Sequence, residues 1–185
     1  MSRELYQQLI TAVDDLTAQL SERYKTHLQC GAGCSGCCHH HLSVFAVEAA
    51  ALQDAIQALP EATRNCLRQQ AQDIKEQEAR GETVACPMLV DNLCSVYEAR
   101  PLICRTQGLP LLYEADDGAQ EIDFCPLNFD SDEAIAELSD EYLVPLDLLN
   151  LKLAMANVSY CREQQSSDEQ SHQRIKMAEV ILSSP

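Results

Sequence analysis

The sequence has no apolar run approaching the roughly 18 residues that a membrane-spanning helix needs. Charged side chains recur every few positions from Met1 to Tyr24, so the pattern of a secretory signal is missing as well. These two absences lead to the expectation of a cytoplasmic protein with no membrane partner. Positive charge is scarce: 13 lysines and arginines stand against 29 aspartates and glutamates, for a formal net charge of −16. Nucleic-acid phosphates require a basic surface, so no nucleic-acid partner is expected, and anionic membrane surfaces are disfavoured on the same ground. The Gly-rich stretch at 31–36 lacks the Lys-Ser/Thr pair of a phosphate-binding loop. No Ser-His-Asp or Cys-His-Asn arrangement can be argued from residue order, which favours a non-enzymatic role. There is no internal repeat beyond two loosely similar Cys-Pro pairs at 86 and 125.

What the chain does have is cysteine, ten in 185 residues. In a reducing compartment, clustered cysteines point to metal rather than to disulfides. Cys30 to Cys38 places four thiols in nine residues, with Gly31, Gly33 and Gly36 between them. Glycine enters left-handed backbone conformations cheaply, so such a segment can fold tightly around one point. Thiolates select zinc, copper(I) or iron–sulfur centres over hard cations. A second group follows at Cys86, Cys94 and Cys104, and Cys125 adds one more. These eight lie in segments punctuated by Gly, Pro or Asn.

In Cys34-x2-Cys37-Cys38, Cys86-Pro87, Cys94-x-Val96-Tyr97-x2-Arg100-Pro101-x2-Cys104-Arg105 and Cys125, the chain resembles the YkgJ-like CxxCxxCC cysteine-cluster family. The resemblance spans roughly residues 30 to 126 and implies zinc or iron chelation. It fixes neither the metal nor a reaction.

The assigned metal ligands are Cys30, Cys34, Cys37, Cys38, Cys86, Cys94, Cys104 and Cys125. Zinc takes four ligands in a tetrahedron, so eight thiols suit about two ions. An iron–sulfur cluster is the alternative, since Cys-x2-Cys and a following Cys-Pro match that signature in part. Cys37 and Cys38 are adjacent and their side chains should diverge, which favours two centres close together. His39, His40 and His41 offer a nitrogen ligand that could take the place of Cys30, and His27 is a weaker candidate. Arg100 and Arg105 flank Cys104 and are candidate cations for an anionic thiolate site. Cys66 and Cys161 are left out because each lies on a helical pattern, where a lone cysteine is usually a small buried hydrophobe.

The expected fold is mainly α with small β-hairpins, a single-domain helical bundle over residues 1–185 around a metal-tied, cysteine-rich loop region. That region, 30–126, is flanked by a helix over 3–27 and by C-terminal helices over 131–182. The N-terminal stripe is Leu5, Leu9, Val13, Leu16, Leu20 and Tyr24. Further helices are expected over 44–58, from Pro60 to a stop at Gly81, and over 145–164, the last as the central core helix with Leu148 and Leu151 widening its stripe. Asp91-Asn92 and Asp116-Asp117-Gly118 signal hairpins. Residues 165–171 read as a mobile linker and 172–182 as a weaker helix. Two functions fit: a metal-handling or metal-stabilised interaction module with a protein partner, or an iron–sulfur oxidoreductase or electron-transfer protein.

Overall fold

The computed structural model of the chain describes residues 2–184, and among them the fold is mainly α with short strand pairs. In chain order the helices are α1 (Ser2–Arg23), α2 (Ala46–Gln57), α3 (Glu61–Ala79), α4 (Leu102–Thr106), α5 (Asp132–Ala136), α6 (Leu146–Glu163), α7 (Asp168–His172) and α8 (Met177–Leu182). The strands are β1 (Ser43–Val44), β2 (Leu89–Val90), β3 (Leu93–Cys94), β4 (Leu111–Glu114), β5 (Gln120–Asp123), β6 (Val144–Pro145) and β7 (Ile175–Lys176).

The chain divides into two compact units, one made of residues 3–31 and 102–156, the other of residues 32–101 and 157 onward. In the first unit, α1 buries Tyr6, Leu9, Ile10, Val13 and Leu20. Leu5, expected on that face, is exposed instead, because the buried stripe runs through Tyr6 and Ile10. β4 and β5 form the expected antiparallel hairpin, with Leu111 opposite Asp123 and Glu114 opposite Gln120. Gly118 turns it at φ +84°. β6 adds a parallel edge to β4 that the helical pattern from 145 concealed. On α6, Leu149, Leu153 and Ala156 are buried, whereas Leu148 and Leu151 face solvent and do not widen the stripe.

The second unit is built on α2, α3 and α8. Leu52 and Ile56 of α2, Leu67, Ala71 and Ile74 of α3, and Val180 and Ile181 of α8 share one apolar core. α3 follows Pro60, as Pro favours a helix start, and ends where Gly81 adopts φ +75°. α2 starts later than Ser43 would have it, because Ser43 and Val44 pair with β7 and the Glu48 carboxylate accepts the Phe45 N–H at 3.0 Å. The stretch read as a linker carries α7, capped reciprocally by Ser167 and Gln170. The tail is more than a weak helix: Met177, Ala178, Val180 and Ile181 are all buried. An apolar segment of this density belongs to a core even when it is only six residues long.

Candidate metal centre

The thiols of the second unit are gathered by backbone hydrogen bonds. Gly33 turns at φ +86°, and residues Gly36–His39 form one 3₁₀ turn carrying Cys37 and Cys38. That turn is closed by Cys38 N–H donating to Ser35 O at 2.9 Å. Cys86 N–H donates to Cys38 O at 2.6 Å, which stitches the second cysteine segment onto the first. From Cys86 the chain turns into the β2–β3 hairpin, where Asp91 and Asn92 take φ of 50° and 61°. Paired positive φ values are what a two-residue hairpin turn demands, and Asp and Asn tolerate them. The register sets Cys94 opposite Leu89. The Ser35 hydroxyl reaches Asn92 Oδ1 at 3.3 Å, tying the knuckle to the hairpin tip. Cys86 and Cys94 pack against the apolar core of the unit.

Cys37, Cys86 and Cys94 lie near enough to act on the Cys38 thiol. Burial pushes the Cys38 thiol up to about 12, and Cys37, Cys86 and Cys94 add to the rise through their charges. Cys86 is raised to about 11, again by burial first, with Cys94 and Cys37 contributing. Cys94 is raised by burial too, against the opposing pull of a hydrogen bond from Val96 N–H and the charge of Arg100. Arg100 lies over the Tyr97 ring at 3.6 Å, and its Nε–H donates to Tyr97 O at 3.0 Å. Of the two arginines flanking Cys104, Arg100 therefore acts on Cys94. Arg105 is nearly buried and pairs with Asp14, both carboxylate oxygens lying within 2.7 Å of its Nη1.

Cys30, Cys104 and Cys125 belong to the first unit. Cys104 lies on the short helix α4, not in a loop, because Pro101 starts a helix there after breaking the one before it. Gly108 follows at φ +94°, and a Cβ on it would meet Cys30 Sγ at 2.6 Å. Phe129 N–H donates to His27 O at 3.0 Å, which brings the Cys125 turn to the end of the α1 segment. The Phe129 ring packs against Tyr24, Phe124 and His27. Asn128, buried between these segments, accepts Gln29 N–H at 2.7 Å and donates to Gly108 O at 2.7 Å and Cys30 Sγ at 3.3 Å. Sequence reading passed over Asn128. Its signal is a turn-forming residue two places after Cys125-Pro126.

All ten cysteines are thiols, none in a disulfide. Cys34 is in the second unit and exposed. Among the described residues, no three His, Cys, Asp or Glu side chains converge at metal-ligating geometry. His41 Nδ1 lies 3.2 Å from Glu78, and His27 Nε2 lies 3.1 Å from Glu137, so each ring has a carboxylate partner. Cys161 is buried on α6, as expected, with its sulfur 3.8 Å from Asn157 Oδ1. Cys66 is a correction: it is exposed on α3, because the buried stripe runs through Leu67, Ala71 and Ile74 and leaves Cys66 outside it.

The donors fit a thiophilic cation. Burial raises the proton affinity of Cys38, Cys86 and Cys94, so these thiols are poorly suited to ionise alone, and a bound divalent cation reverses that balance. No curated protein and no solved structure matches the chain. A family model does, over residues 29–126, more than half of the sequence and the whole run from Cys30 to Cys125. On that match the chain belongs to the CxxCxxCC family, described as a candidate zinc- or iron-chelating domain.

Proposed function

We propose that the protein binds zinc or iron through its clustered thiolates and acts in the cytoplasm as a non-enzymatic metal-handling or metal-stabilised interaction module with a protein partner. The observation that carries this reading is the backbone bond that holds Cys86 to Cys38, with Cys37 and Cys94 near enough to act on the Cys38 thiol. Four sulfur donors match the tetrahedral demand of zinc. Cys30, Cys104 and Cys125 are proposed as ligands in the other unit, and Cys34 completes the eight. Three thiolates leave a fourth coordination position open to a different ligand. Arg100 offsets part of the negative charge that several thiolates build up. The net charge of −16 makes such local cations more valuable.

Purification without oxygen, followed by elemental analysis, tests the reading. Zinc or iron near two equivalents per chain is the expected result for eight thiolate ligands. A brown protein with acid-labile sulfide would assign an iron–sulfur centre and move the function to electron transfer. Ten single Cys→Ala variants then locate the ligands. Loss of metal from any of the eight, with full retention in Cys66→Ala and Cys161→Ala, is expected. A wild-type protein that holds neither metal after anaerobic reconstitution would defeat the proposal.

A further inference from the structure

We infer that Asn128 is the positioning residue of the Cys30, Cys104 and Cys125 group: its amide aims the Cys30 sulfur and clasps the three cysteine-bearing segments together. The inference rests on the metal-binding reading and lies outside the family match, which ends at residue 126.

The amide is 1% exposed, so each of its hydrogen-bonding groups must find a partner inside the protein. Its oxygen takes the Gln29 N–H, next to Cys30. One end of its NH₂ reaches Gly108 O, just beyond the helix bearing Cys104. The NH₂ also reaches Cys30 Sγ, and Asn128 itself lies three residues after Cys125, its N–H bonded to Cys125 O at 2.8 Å. One side chain thus touches or adjoins all three segments. An N–H directed at a thiolate stabilises the anion and fixes the direction of its lone pairs, as groups that orient metal ligands do.

Two neighbours show that the arrangement is constrained rather than incidental. Gly108 leaves space that a methyl group would fill, with Asn128 Nδ2 at 3.2 Å and Cys30 Sγ at 2.6 Å from such a Cβ. Phe129 holds φ at 52°, a left-handed conformation that is costly for a bulky residue and persists only where the surroundings enforce it. Its buried ring and its bond to His27 O supply that enforcement, and the backbone that presents Asn128 is fixed as a result.

Cobalt(II) titration of the full chain, read by the thiolate-to-metal charge-transfer absorption, provides the test. Asn128→Leu keeps the branched heavy-atom skeleton and removes the donor, and Asn128→Asp keeps the shape and replaces the NH₂ with an acceptor. Both are expected to lose about tenfold or more in cobalt affinity. Their absorption should also move to lower energy, because a sulfur without its N–H donor is more electron-rich. In a Cys30→Ala background the same substitutions should leave the absorption unshifted and cost less affinity, because only the bonds to Gln29 and Gly108 remain to be lost. Unchanged affinity and absorption would overturn the assignment, and so would an equal loss in the Cys30→Ala background, which would mark Asn128 as merely structural. Failure of the wild type to take up cobalt would instead count against the proposed function. The assignment is then decided on the metal-free protein by the NMR shifts of the Asn128 side-chain amide protons, which need no substitution at Asn128. They should move when Cys30 becomes alanine, and their failure to move would refute the clasp.

Discussion

The two cysteine-bearing regions are held in different ways. In the second unit, Cys86 and Cys94 rest against an apolar core, and backbone bonds fix their segments to the knuckle that carries Cys37 and Cys38. In the first unit, Cys30 and its neighbours depend on the polar side chain of Asn128 and on a glycine with no room for a Cβ. A site built on core packing draws on many small contacts, and loss of one contact weakens it gradually. A site built on a buried amide draws on a few hydrogen bonds, and loss of the amide orphans every partner at once.

The largest test of this contrast lies in the second unit's core. Leu67 and Ile181 are fully buried there, so Leu67→Ala or Ile181→Ala should each cost about 2–5 kcal/mol of stability. Denaturant unfolding checks the cost. Because Cys86 and Cys94 pack on that core, metal affinity of the second unit should fall with it. A stability loss of this size with metal binding untouched would break the link between core and thiols.

Gly108→Ala probes the other mode. The new Cβ would collide with Cys30 Sγ, and an L-residue at φ +94° is strained, for a cost of about 1–3 kcal/mol. Hydrogen exchange should show the loss in residues 102–129, with α3 and α8 unaffected. Equal deprotection of α3 would mean the clasp is not local.

The two modes differ in how far sequence could reveal them. The second unit was largely legible: Asp91-Asn92 forecast the β2–β3 hairpin, and Pro60 and Gly81 bracketed α3, because turn chemistry and caps act over a few residues. The grouping of Cys30 with Gly108 and Asn128 was not legible. Residue 30 is separated from residues 108 and 128 by most of the family motif, and nothing local marks the meeting. Arg105 illustrates the same limit. Its place beside Cys104 suggested a thiolate partner, and its pairing with Asp14, 91 residues distant, was not to be read from the sequence. β6 and the short β1–β7 pair were also hidden, since two-residue strands have no periodicity to read.

A third prediction concerns pH and separates metal-free from metal-loaded protein. In the metal-free fold, Cys38 and Cys86 hold their protons to about 12 and 11, whereas unfolded thiols release them near 9.0. The folded state therefore binds more protons in that range, and stability must fall as pH rises from 9.0 toward 12. With metal bound, the ligands are thiolates in the folded state, so stability should instead rise with pH from the acid side until the thiols of the unfolded chain ionise. Denaturation midpoints measured from the acid side up to 12, with and without chelator, check the two profiles: a rise below 9.0 only with metal, and a fall above it only without. Identical slopes in the two forms would remove Cys38 and Cys86 from the ligand set.

The smallest expected effect is at Cys66. Although it is a cysteine, it lies in the second unit on the outer face of α3, next to Leu67 but pointing away from the core that Leu67 enters. Cys66→Ala removes an exposed thiol and places the best helix former in a helix, so the stability change should stay within about 0.5 kcal/mol. Metal content should be unchanged, unlike that of Cys38→Ala, whose thiol is acted on by Cys37, Cys86 and Cys94. The exposed sulfur does have a consequence of its own. Cys66 should be among the fastest cysteines to alkylate in the metal-loaded protein, since burial does not shield it and it is not assigned to the metal. Peptide mass spectrometry after brief alkylation reads this directly. If Cys66 is protected by metal and released by chelator, exposure on a helix has been a poor guide, and the eight-cysteine assignment has to be redrawn to include it.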